Sequence, residues 1–199
     1  MHRATIGIRI KSGWAMAVLL AGPTANPRVV ERRRIALSDP RRPRTRQPYH
    51  AGFGLAQTSR RTIAALVRVV ERCARRSVSE MVRDARARGL GLRGTALVVG
   101  SVTDPASISN PHIRAHASEG ALFRRVVADA AARLGLRSVV VVERELYEVT
   151  ARATRRPARQ VRAMVAELGN TVEGSWRAEE KTAAAAAWLA LAKPPRQAR

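Results

Sequence analysis

Residues 5–37, TIGIRIKSGWAMAVLLAGPTANPRVVERRRIAL, decide the fold. Apolar side chains alternate with other residues over 5–10, and two more β-prone runs follow at 14–20 and 29–37. Lys-Ser-Gly separates the first two runs, Gly-Pro-Thr-Ala-Asn-Pro separates the last two, and both connections have turn chemistry. The stretch therefore predicts three antiparallel strands in a meander.

The same stretch also has features of a secretory signal. Arg3, Arg9 and Lys11 precede a short apolar run at 14–21, with small residues after it. The alternation that begins before this run favours a strand over a leader. No segment reaches the roughly 20 apolar residues of a membrane span, and the lone Cys73 indicates a buried thiol in a reducing compartment. We expect a cytoplasmic protein.

Beyond the meander, the sequence predicts alternating helices and strands. A proline- and arginine-rich stretch at 38–56 lacks periodic apolar residues and is expected to be a mobile basic loop. The elements predicted after it are a helix at 59–88 ended by Gly89, Gly91 and Gly94, a strand at 95–101, a helix at 112–134, a strand at 138–142, a helix to about 153, a helix opened by Pro157 and stopped at 169–170, and a last helix at 178–192. A strand, a helix and a strand in succession predict a right-handed parallel crossover.

The fold class predicted from this order is α/β, with a mixed sheet of three antiparallel strands followed by parallel strands, and flanking helices. We expect residues 1–193 to form one domain with the basic loop 38–56, and 194–199 to be a frayed basic tail. Trp188 lies among alanines in the last helix, where we expect it to anchor the core.

Charge limits the class of partner. Lys and Arg number 37 against 15 Asp and Glu, which gives a formal charge of +22, while the apolar fraction of 46% is ordinary for a globular chain. Codon bias explains the choice of arginine over lysine but not the shortage of acids. A surface this positive attracts polyanions and releases counterions from phosphate backbones. Nucleic acid, DNA or RNA, is the expected partner; a membrane is not, and a homodimer is left open.

Several short motifs resemble those of one family. Gly7-Ile8-Arg9 and the following turn are similar to a Gly-Ile-Asp strand, Val98-Val99-Gly100 to the end of a fourth strand, and Glu143-Arg144 to the Asp-Glu-Arg at the end of a fifth strand. The run 180–184, Glu-Lys-Thr-Ala-Ala, is similar to the Asp-x-x-Ala-Ala that starts a final helix. With the element order, the chain resembles the RuvC-like and YqgF-like resolvases of the ribonuclease H-like superfamily.

The resemblance implies a cleavage site that this sequence lacks. Enzymes of the family hold two Mg²⁺ ions with carboxylates from the first strand, a later strand and the last helix. Here Arg9 replaces the family's first-strand acid, and Val142 replaces the acid that precedes Glu143. The acids that remain are Glu143, Glu180 or Glu179, and Asp104. An arginine is a fixed cation and repels Mg²⁺. We expect no cofactor, with Mg²⁺ only if the protein is active, and an ion pair between Arg9 and Glu143 in place of the metals.

Two arginine clusters are the candidate nucleic-acid contacts. They comprise Arg32, Arg33, Arg34, Arg41, Arg42, Arg44 and Arg46 around the third strand and basic loop, and Arg155, Arg156 and Arg159 around a helix start, with Arg28, Arg152 and Arg162 beside them. Tyr49, His50 and Phe53 adjoin the first cluster and are candidates for stacking on unpaired bases.

One more group of residues has ligand spacing. His112, His116 and Glu119 fall at i, i+4 and i+7 on one face of a predicted helix. Three ligands on one helix rarely converge without a partner from elsewhere, so we predict surface pairing at the helix start and no metal. The segment 104–119 follows the fourth strand, and on this fold it lies at the rim of the cleft, where a histidine can contact a phosphate.

The function predicted is binding of structured or branched nucleic acid by a catalytically degenerate member of this fold. Two alternatives stay open. One is an active metal-dependent nuclease, a Holliday-junction resolvase or an rRNA-processing enzyme, which uses Glu143, Glu180, Asp104 and a helix acid such as Glu71 or Glu80. The other is a non-enzymatic scaffold whose positive surface binds an acidic protein.

Overall fold

The computed structural model describes residues 2–193; the predicted tail 194–199 lies outside the described residues. The chain forms, in order, β1 (His2–Lys11), β2 (Trp14–Ala21), β3 (Arg28–Ala36), β4 (His50–Gly52), β5 (Leu55–Ala56), α1 (Arg60–Ala87), β6 (Leu90–Val99), α2 (Pro111–Ala132), β7 (Ser138–Val142), α3 (Leu146–Thr154), α4 (Ala158–Glu167) and α5 (Ala178–Ala192).

Five strands form one mixed sheet in the order β3-β2-β1-β6-β7. β1, β2 and β3 are antiparallel neighbours, while β6 is parallel to β1 and β7 is parallel to β6. The predicted meander and parallel crossover are confirmed. β1, which also carried the features of a leader, is the central strand of the sheet.

The alternation in β1 divides its side chains between two apolar layers. Ile6, Ile8 and Ile10 pack with α1 and α2 on one face. On the other face β1 presents Gly7 and Arg9 toward α5, whose five consecutive alanines are all buried. Side chains this small let a helix approach a sheet closely, and this proximity places the first turn of α5 beside the carboxyl end of β1.

Trp188 anchors the α5 layer. The indole is fully buried, and its Nε1 donates to the carbonyl of Thr24 at 2.8 Å, so the one polar atom of the ring has a partner. The prediction of a core anchor is confirmed.

Two stretches contain structure that the sequence did not predict. The stretch 38–56, expected to be a mobile loop, contains a 3-10 turn at Pro43–Arg46 and the hairpin of β4 and β5, because buried Thr45 fixes the turn by donating to the Arg42 carbonyl at 2.6 Å. Gly91 and Gly94, expected to lie in the helix terminator, are both in β6, and Gly94 has a φ of 154° at a register shift. Glycine tolerates this conformation at a bulge.

Within residues 2–193, no helix is both long and apolar enough to cross a bilayer.

Candidate functional site

The parallel strands bring two residues of opposite charge to one edge of the sheet. Arg9 is near the carboxyl end of β1, and Glu143 directly follows β7, two strands away. The Arg9 side chain, 6% exposed, lies on the α5 face; its guanidinium forms an ion pair with Glu143 and also donates to the Ile10 carbonyl at 3.2 Å. The ion pair expected from the sequence is confirmed.

The first turn of α5 adds two more acids, each of which has its own cation. Lys11 Nζ lies 3.0 Å from Glu179 Oε1, and Arg32 Nη1 lies 3.4 Å from Glu180 Oε1. The hydrogen bond from Lys11 lowers the pKa of the Glu179 carboxyl, and the charges of Lys11 and Arg9 lower it further. Glu180 also accepts a hydrogen bond from the backbone N–H of Arg177 at 3.1 Å and so caps the helix.

These acids do not fit a pair of magnesium ions. A two-metal site needs several carboxylate oxygens free to bind the ions, whereas Glu143, Glu179 and Glu180 each hold a basic side chain. Asp104 is exposed and caps the turn Pro105–Ser107, accepting from Ala106 N at 2.9 Å. The structure does not bring Asp104 into the group, and within the group the largely buried Arg9 side chain is paired with Glu143.

A cavity of about 570 Å³ opens beside this group of charges. Its walls are Arg9 to Ser12 at the end of β1, Val99 to Thr103 after β6, and one side of α2 that includes His116 and Glu119. Ile108 and Ile113 also line it, so the segment 104–119, which follows the fourth strand of the sheet (β6), borders the cleft as predicted. Carboxyl ends of strands in open α/β sheets are where ligands bind.

His116, which lines this cavity, belongs to a cluster of three histidines. His112 and His116 are one turn apart on α2, with their Nε2 atoms 3.2 Å from each other. His50, from β4, packs on both, with ring centroids 5.2 and 4.4 Å away. Burial, together with the nearby His50 and His112, lowers the pKa of His116.

Glu119 is buried and pairs with His50. It is 1% exposed, and its Oε1 lies 2.7 Å from Nδ1 of His50. Burial raises the pKa of the Glu119 carboxyl, and the contact with His50 opposes this shift. The sequence did not indicate that His50 belongs to this cluster. Its side chain is buried and cannot stack on a base, so that prediction is wrong.

The first arginine cluster is divided between several surfaces. Arg32 reaches across to Glu180, and Arg33 turns to the opposite side of the sheet, 2.8 Å from Asp84. Arg34 lies over the ring of Trp14 at 4.3 Å. The remaining members are exposed and, in the described part of the chain, form no ion pair: Arg41, Arg42, Arg44 and Arg46.

The second cluster lies around the α3–α4 connection. Arg155 has a left-handed backbone, with a φ of 56°, and Arg155 and Arg159 are exposed. Arg156 donates to the Ala25 carbonyl at 3.2 Å. Among the aromatic residues near the first cluster, Phe53 is fully exposed at the tip of the β4–β5 hairpin, and Tyr49 is partly buried.

Two solved structures align with nearly the whole chain. They are Thermus thermophilus RuvC, with a TM-score of 0.57, 13% identity and coverage of 95% of this chain and 93% of that one, and T. thermophilus RuvC in complex with Holliday junction substrate, with a TM-score of 0.58, 12% identity and coverage of 96% and 94%. The chain has a ribonuclease H-like fold. Identity this low establishes the fold alone. No protein-family model and no curated protein matches this chain.

Proposed function

We propose that this protein binds structured or branched nucleic acid and has lost metal-dependent cleavage. The ion pair of Arg9 with Glu143 at the carboxyl edge of the sheet carries the proposal. A guanidinium stays protonated at any physiological pH, so it holds the site closed to divalent cations. The diverged motifs resemble those of the RuvC-like and YqgF-like group. A cytoplasmic location and a homodimer stay predictions.

Binding is attributed to the exposed arginines and to Phe53. The formal charge of +22 gives long-range attraction, and the guanidinium groups of Arg41, Arg42, Arg44 and Arg46 are available to phosphates. Phe53 beside them offers an apolar ring to an unstacked base. A branched substrate presents both features at once, because backbones converge at its centre and the base pairs at an open branch point have one unstacked face. One RuvC structure holds a Holliday junction, and this makes a four-way junction the first ligand to try.

Removing three charges from the basic loop should weaken binding and reduce its salt dependence. We expect Arg41→Gln/Arg42→Gln/Arg44→Gln to lower affinity for a four-way DNA junction about 10- to 100-fold near 0.1 M salt, and to reduce the slope of log K against log salt by about 2 to 3. Fluorescence anisotropy at several salt concentrations measures both quantities.

A control variant removes the same charge at the opposite edge of the sheet. Arg3, Arg93 and Arg133 are exposed and lie near the amino ends of the parallel strands. Arg3→Gln/Arg93→Gln/Arg133→Gln should keep the wild-type slope to within about 1. Equal losses in both triple variants would refute the assigned interface. Absence of binding to DNA and RNA at low salt would refute nucleic-acid binding and favour a scaffold for an acidic protein.

Loss of cleavage is tested separately. Junction, flap and rRNA-precursor substrates should stay intact with Mg²⁺ or Mn²⁺, and junction affinity should be the same with and without EDTA. Gel electrophoresis of end-labelled strands detects cleavage. Metal-dependent cleavage that Glu143→Gln abolishes would establish the active nuclease instead.

A further inference from the structure

Three histidines from two distant parts of the chain lie side by side at the surface of α2. His50 comes from the β4–β5 hairpin, and His112 and His116 come from the first turns of α2. One ring nitrogen from each lies within 4.8 Å of the other two. The sequence did not show which residue outside the helix could be a third ligand, and in the structure His50 lies in that position.

We propose that His50, His112 and His116 form a binding site for one zinc ion, or a similar first-row divalent ion, with Nε2 of each ring as the ligand. This proposal does not depend on nucleic-acid binding. Imidazole nitrogens are good ligands for this class of ion. Histidines at i and i+4 place two ligands on one helix face, and the hairpin supplies the third from the side.

The distance between the two helix histidines suits tetrahedral coordination. Zinc binds imidazole nitrogen at about 2.0 to 2.1 Å, so two nitrogens on one tetrahedral ion lie about 3.3 Å apart. His112 Nε2 and His116 Nε2 are 3.2 Å apart. His50 Nε2 is buried and has no hydrogen-bond partner in the described part of the chain, although a buried ring nitrogen is rarely left unpaired.

Glu119 orients the third ligand. Its Oε1 lies 2.7 Å from Nδ1 of His50. When the carboxylate is ionised it accepts the Nδ1 proton, and Nε2 is then the nitrogen with a free lone pair. A carboxylate on the far nitrogen of a metal-binding histidine fixes the ring and makes it a stronger ligand.

The geometry leaves a fourth position open. All three rings line a cavity of about 500 Å³ together with Arg44 and Gln47. Three protein ligands with one free position are typical of zinc sites that bind water or substrate, whereas purely structural sites have four protein ligands. The fourth ligand is therefore water or an oxygen anion, and Arg44 is placed to stabilise an anion.

Zinc titration of the full chain, without a histidine tag and after dialysis against a chelator, tests the site. Calorimetry should show one zinc per chain, and Co²⁺ should give the intense visible absorption of tetrahedral coordination. The exposed His116 is the safest ligand to remove, and His116→Ala should weaken zinc binding at least 100-fold and abolish that absorption. Glu119→Gln should weaken zinc binding about 10- to 100-fold.

The fourth histidine of the chain provides the control. His2 is the first residue of β1, at the opposite end of that strand from the cavity. His2→Gln should keep wild-type affinity and the Co²⁺ spectrum. Zinc should raise the melting temperature of the wild type and of His2→Gln but not of His116→Ala. The proposal is wrong if His116→Ala binds zinc as tightly as the wild type, or if Co²⁺ bound to the wild type stays octahedral.

Discussion

Gly7→Ala is expected to destabilise the folded chain by about 4 kcal/mol or more, since a methyl group at this position has no room. Its carbon would overlap the Ala183 carbonyl oxygen and the Ala187 amide nitrogen, both backbone atoms of α5. Backbone in a buried helix cannot rotate away as a side chain can. Urea denaturation followed by circular dichroism measures the loss as a lower midpoint.

A second glycine separates the effect of this contact from that of the added methyl. Gly120 lies in α2, and a β-carbon there meets no atom within 4 Å. Gly120→Ala should stabilise the protein by about 0.5 to 1 kcal/mol, because alanine has the higher helix propensity. Similar small shifts in both variants would mean that β1 and α5 are not packed backbone to backbone. This contact sets the distance from Arg9 to the first turn of α5.

The sequence predicted the framework well because the framework depends on local patterns. The last strand and the last helix lie at 138–142 and 178–192, as expected, since a short apolar run and an alanine-rich segment have clear ends. The pair of Arg9 and Glu143 also followed from the sequence. Both residues lie at carboxyl ends of strands on the same edge, so topology alone brings them close.

Contacts that depend on side-chain direction or on irregular segments were not predicted. The sequence assigned Arg32 and Arg33 to one nucleic-acid surface, but adjacent residues of a strand point to opposite faces, and the two arginines pair with acids on different helices. His50 and Glu119 are 69 residues apart, and His50 lies in a segment without periodic apolar residues. Only the folded hairpin reveals that it reaches α2.

Arg9→Asp is expected to make the protein dependent on divalent cations for full stability. The variant loses the guanidinium that neutralises Glu143 and adds a carboxylate on the same strand end. Breaking a largely buried ion pair costs several kcal/mol. Since Glu143 is about half exposed, we expect a loss of about 2 to 3 kcal/mol, or about 4 to 12 °C in melting temperature for a chain of this size.

Magnesium should reverse this loss in Arg9→Asp alone. The introduced carboxylate and the freed Glu143 supply oxygen ligands of the kind that Mg²⁺ prefers, and an ion at a hundredfold excess over its dissociation constant stabilises the folded state by about 2.7 kcal/mol. Arg9→Met removes the positive charge without adding an acid, so its melting temperature should not respond to Mg²⁺. Thermal denaturation of the wild type and both variants, with Mg²⁺ and with EDTA, measures the effect. An equal response of the wild type to Mg²⁺ would show that Arg9 does not exclude the ion, because the basic side chain would then have to leave the site on binding.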